Sequence, residues 1–170
     1  VVEALHRTHI GDDQDPAHIL NHAIRTALAD GWGGSMIATD ISDILFGTPA
    51  PILGEANLGV IKDDMVNVVV HGHEPSLSEM LVAVSQDPEI IAYAKAAGAH
   101  GVNLSGICCT ANETLMRQGI PAAGNFLHQE LSILTGAVEA LVVDVQCIMQ
   151  ALVGLAQNFH TMIITTSPKV

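Results

Sequence analysis

Positive charge is scarce in this chain. Lys and Arg number 6 against 18 Asp and Glu, a net charge of −12 over 170 residues. Such a chain repels phosphate backbones, which argues against nucleic acid as a partner. Long apolar runs are missing too. No stretch reaches the ~18 residues that mark a transmembrane helix, and no basic segment leads an apolar one as in a signal peptide. Cysteine is limited to Cys108, Cys109 and Cys147. An odd, low count is no disulfide framework. It fits a reducing, cytoplasmic setting in which thiols are kept for metal binding or catalysis. Phosphate loops are absent as well. GWGGS (31–35) does not follow G-x-G-x-x-G, and no Walker A pattern occurs, so a nucleotide-binding reading lacks its anchor. The chain opens Val1-Val2 without a methionine and stops just after a strand-like run. The expectation is an internal piece of a longer protein.

What is present is apolar. Hydrophobic residues make up 49% and charged residues 14%, too apolar for disorder and enough for one domain with a sizeable core. Residues 15–30 read as a helix. Asp15 serves as its N-cap and Pro16 as its first residue, and Ile19, Leu20, Ala23, Ile24, Ala27 and Leu28 form its apolar stripe. Gly31 is expected to end it, and GWGGS to separate it from a second helix over 35–46. Residues 47–59 read as a loop. From residue 65 strands and helices alternate. Strands are expected at 65–70, 102–106, 140–145 and 161–166. Helices are expected from Ser76, from Asp87-Pro88, from Thr110, over 125–136 and over 148–157. The fold class is α/β: a Rossmann-like, doubly wound, mostly parallel sheet preceded by helices. Residues 1–64 form the helical segment and loop, and 65–170 the sheet domain.

Three of the strand segments end on a metal-binding residue type. VNVVVHGH runs out at His73, VNLSGICC at Cys109 and ALVVDVQC at Cys147, in steps of 36 and 38 residues. That is about one strand–helix–strand unit per step. A parallel sheet then brings the strand ends together at the edge where open α/β folds bind ligands. Imidazole and thiolate together suit a transition metal or a metal–sulfur centre. Each segment also has a plainer reading, as a packed histidine or a buried structural thiol. Spacing alone leaves open which of His71 and His73, and which of Cys108 and Cys109, faces the edge. His18 and His22 share a helix face but lack the glutamate of a zinc-protease motif. A structural zinc domain would want a closed set of four donors.

Five segments, ALADGWGGSMIATD, NVVVHGHEP, GICCTANE, NFLHQELSILTGAVEA and VVDVQC, occur in an order that resembles the catalytic subunit of the anaerobic nickel–iron carbon monoxide dehydrogenases. The resemblance covers essentially the whole chain. Hybrid-cluster proteins, including hydroxylamine reductases, share the architecture but resemble these segments less well. The resemblance implies a nickel–iron–sulfur cluster that oxidises CO with water to CO₂, two protons and two electrons. It implies that His73 and Cys109 bind the cluster's outlying iron and that Cys147 binds an iron of its cubane part. It also implies that Asp30, without binding the metal itself, orients the iron-bound hydroxide. Electrons would leave through [4Fe–4S] clusters, held by parts of the protein outside this chain, to a ferredoxin-like acceptor. The family is homodimeric and can associate with acetyl-CoA synthase subunits. Its remaining cluster cysteines and a catalytic lysine are expected beyond residue 170, so Lys169 is not that lysine and the fragment alone is expected to be inactive.

Overall fold

A computed structural model describes residues 2–144 and 148–166. The chain divides into two compact units, Val1–Pro49 and Ala50–Val170.

The first unit is helical. It comprises α1 (Val2–His9), α2 (Pro16–Asp30), a π-helical segment (Gly31–Ile37) and α3 (Ala38–Phe46). Asp15 caps α2 as expected, accepting the backbone N–H groups of Ala17 and His18 at 2.9 and 3.0 Å. The glycine-rich stretch does not break the helix. Gly31 keeps helical angles (φ −57°, ψ −38°), and so does Ala38 at the far end (φ −63°, ψ −39°). Glycine permits a left-handed exit but does not force one. The helix instead widens through this stretch, a form that recurs at functional sites. The apolar stripe of α2 stays open: Ile19, Leu20, Ile24 and Leu28 are all exposed, and His22 is the one buried residue of that helix.

The second unit carries β1 (Val66–His71), α4 (Pro75–Ser85), α5 (Pro88–Ala96), β2 (Val102–Ile107) and α6 (Cys109–Glu113). These are followed by β3 (Ala122–Gly124), α7 (Gln129–Leu134), β4 (Ala140–Val143), α8 (Ala151–Ala156) and β5 (Met162–Thr165). The strands form one parallel sheet in the order β3-β2-β1-β4-β5. Alternate residues of β1 enter separate cores, as strands covered on both faces require. Val68 and Val70 pack with Val82 of α4, Leu104 and Leu115 on one side. Val69 packs with Ile133 of α7, Leu141 and Leu152 of α8 on the other. This is the doubly wound α/β architecture the sequence pattern implies.

Local details differ from expectation. α4 begins at Pro75 rather than Ser76. Its cap is Glu74, whose carboxylate accepts the Ser76 N–H at 3.0 Å, because proline needs no donor at the first helical position. α6 starts at Cys109, and the Thr110 hydroxyl pairs with the buried Ser78 hydroxyl of α4 instead of capping its own helix. The short edge strand β3 is an addition to the expected set, since three residues of Ala and Gly carry no strand signal. The loop before the sheet bridges to it through Ala56.

At the N-terminal edge, Asn67 is 1% exposed. Its side-chain amide donates to the carbonyls of Lys62, Met65 and Ala137. Its oxygen accepts from Lys62 N and Asn103 Nδ2. This polar knot closes the bottom of the sheet and leaves the opposite edge to the chemistry.

Candidate metal centre

Parallel strands in register end together. His71 on β1 pairs with Ile107 on β2 and with Val143 on β4. The offset between β1 and β2 is therefore the same 36 residues that separates His73 from Cys109. Both donors lie two residues past strand ends that are direct neighbours. The strand order reverses at β1, with β2 and β3 on one side and β4 and β5 on the other. Such a switch point opens a crevice outside the carboxyl ends of the strands.

Burial distinguishes the residues of each pair. His71 is fully buried and His73 half-buried. Cys108 is buried among Ile107, Ala123 and Ile133, while Cys109 is half-buried. The backbone turns sharply at both junctions. Gly72 takes φ +141°, and Cys108 takes φ +66° and ψ −143°, the one non-glycine residue with positive φ among those described. A side chain in that region costs about 1–3 kcal/mol and tends to persist where the surroundings over-determine it.

The three strand-end loops are tied to one another. Asp144, the first residue past β4, donates its N–H to the His71 carbonyl at 3.1 Å. Its carboxylate accepts from His73 N at 2.7 Å and from Glu74 N at 2.8 Å. From the β2 side, Thr110 N donates to the Gly72 carbonyl at 3.0 Å. Sequence reasoning passed over Asp144. The available signal was an acid at the end of a buried strand, level with a glycine turn on the neighbouring one.

His73 and Cys109 are brought to neighbouring strand ends. Cys147 lies outside the described residues. Among the described residues no group of three His, Cys, Asp or Glu converges on a metal position. The two described donors are the borderline imidazole and the soft thiolate that iron accepts, so they fit part of a ligand set for an iron-containing centre. Asp30 belongs to the first unit, at the last turn of α2. Its carboxylate lies over Gly34, where a Cβ would overlap it. With Arg7, His22 and Arg25 it lines a cavity of about 930 Å³. The rim is ion-paired: Glu3 meets Arg7 and Arg25, each at 3.2 Å. No helix of the described residues is long and apolar enough to cross a membrane.

Comparison with known proteins places these features in context. The model of the Prismane/CO dehydrogenase family matches residues 1–170. "Carbon monoxide dehydrogenase 1" of Methanosarcina mazei is 63% identical over 169 residues, which is 99% of this chain and 27% of that protein. The "carbon monoxide dehydrogenase/acetyl-CoA synthase subunit beta" of Moorella thermoacetica is 54% identical over 98% of the chain and 24% of its own length. A solved structure of as-isolated, nickel-free carbon monoxide dehydrogenase from Thermococcus sp. AM4, produced without the CooC maturase, superposes with a TM-score of 0.93. It is 60% identical and the match covers 99% of this chain and 27% of that one. The chain thus spans about a quarter of the length of these relatives.

Proposed function

The chain belongs to the Prismane/CO dehydrogenase family, and on that premise we propose that it is the central, cluster-binding part of a carbon monoxide dehydrogenase. The reaction is CO + H₂O → CO₂ + 2 H⁺ + 2 e⁻. The observation that carries this reading is that His73 and Cys109 each lie two residues past the paired ends, His71 and Ile107, of adjacent strands, beside the switch point of the sheet. Residues 65–170 form the cluster-binding domain.

The His73 imidazole and the Cys109 thiolate would hold the outlying iron, and Cys147 an iron of the cubane. When bound, the nickel–iron–sulfur cluster supplies the carbon-binding metal and the redox equivalents. The chain's own residues hold and orient. By the family resemblance, the Asp30 carboxylate would accept a hydrogen bond from the attacking water and orient it. Gly34 leaves the space in which that carboxylate lies. The half-buried setting of His73 and Cys109 limits water around the donors while leaving them reachable. Electrons would leave by way of [4Fe–4S] clusters bound elsewhere in the parent protein to a ferredoxin-like acceptor. The parent is a cytoplasmic homodimer that can join acetyl-CoA synthase subunits.

The test is metal analysis of the full gene product purified without oxygen. Nickel and iron should be present, and Cys147→Ala should abolish CO oxidation. A product without nickel would match a hybrid-cluster hydroxylamine reductase instead, and intact CO oxidation in C147A would remove the ligand assignment.

A further inference from the structure

We propose that Asp144 is the positioning residue for His73, fixing the HGH turn before any metal arrives. The proposal rests on the reading of His73 as a ligand. Asp144 is 1% exposed, and a buried carboxylate persists only where polar partners satisfy it. Its partners include two successive backbone amides, His73 N on Oδ1 at 2.7 Å and Glu74 N on Oδ2 at 2.8 Å. Charge-assisted bonds of this length are the strong class. They do not serve the following helix. α4 already has Pro75 at its start and the Glu74 side chain as its cap, so the amides held by Asp144 belong to the turn. Glycine at 72 lets the carboxylate close in, because a Cβ there would overlap it. The Asp144 backbone is itself locked by its N–H bond to the His71 carbonyl.

The turn is gripped from the β2 side as well, through Thr110 N to the Gly72 carbonyl. Thr110 is the residue after Cys109. The ligand-bearing turn of β1 is therefore held on one side by the residue adjoining Cys109. On the other it is held by a side chain three residues before Cys147. Such support orients ligands ahead of binding.

The test uses the full gene product purified without oxygen, carrying Asp144→Asn. Asparagine keeps one acceptor but turns an N–H₂ toward the other amide, so at least one bond is lost. In metal-free D144N the amides of His73 and Glu74 should exchange with solvent at least about tenfold faster, while those of Val68–Val70 keep the wild-type rate. In the loaded variant the Mössbauer and EPR signature of the outlying iron should shift or lose intensity. His73→Ala separates the two ideas. A wild-type cluster signature in H73A overturns the ligand reading. An altered signature in H73A, together with wild-type exchange and spectra in D144N, overturns the role of Asp144 alone. Should D144N fail to fold, exchange in the wild type decides. Amides of His73 and Glu74 as protected as those of β1 support the proposal, and amides exchanging like exposed ones overturn it.

Discussion

Replacing Gly72 by alanine tests the joint at which the candidate centre is assembled. Gly72 holds φ +141°, and an added Cβ would run into the Asp144 carboxylate. Two costs follow. The backbone angle strains a residue with a side chain by about 1–3 kcal/mol. The carboxylate, forced aside, forfeits at least one bond to His73 N or Glu74 N, about 1.5–3 kcal/mol for a charged acceptor. Together they come to about 2.5–6 kcal/mol, a large part of the ~5–15 kcal/mol that holds a domain. A chain of several domains does not unfold in two states, so the readout should be local. Hydrogen exchange at the amides of residues 72–74 in the full gene product should quicken about a hundredfold or more, since each ~1.4 kcal/mol is a factor of ten. Gly154→Ala is the control. That glycine lies in α8 with no neighbouring atom within 4 Å of where an added methyl would stand, and alanine there should be neutral or stabilising by up to about 1 kcal/mol. Exchange in G72A at the wild-type rate would refute the reasoning, because it would mean that Asp144 does not occupy the space above the turn.

Asn67→Leu should destabilise the sheet by about 3–5 kcal/mol, because it removes the buried amide's bonds to the carbonyls of Lys62 and Ala137 and the oxygen that accepts from Lys62 N and Asn103 Nδ2; unchanged hydrogen exchange at the start of β1 would contradict this. At position 108, where φ is +66°, Cys108→Gly should be more stable than Cys108→Ala by about 1 kcal/mol, the reverse of the usual order; hydrogen exchange in β2 of the two variants checks the sign. The Arg25 guanidinium beside Glu3, with Arg7 as a lesser contributor, holds the Glu3 carboxyl below its ordinary range. A depressed carboxyl favours the folded pair above the ordinary glutamate pKa, and that contribution is lost as pH falls through the lowered value. Arg25→Gln should therefore raise the Glu3 titration point in carboxyl NMR, and a point that does not move would rule out the pairing.

Much of the fold was legible because its signals are local. Val-rich runs bounded by capped helices announce buried parallel strands, and the caps at Asp15 and Asp87 bind the amides their spacing predicts. The Gly-rich segment misled because glycine marks where a chain can turn. Whether it does turn depends on the hydrogen bonds around it, and here the helix continues as a π-helical segment. β3 was invisible because an Ala-Ala-Gly edge strand owes its existence to β2 and to the bridge from Ala56.

The candidate centre divides in the same way. The sequence alone determined which donors exist and their 36-residue step, since strand and helix lengths are set by residues near one another. Only the tertiary structure decided that the step equals the register offset of β1 and β2. It also decided that His71 and Cys108 are buried while His73 and Cys109 are half-exposed. Asp144 belongs wholly to that second category. It is 71 residues from the amide it holds most closely, and no local pattern can announce a contact that arises only when β4 inserts beside β1.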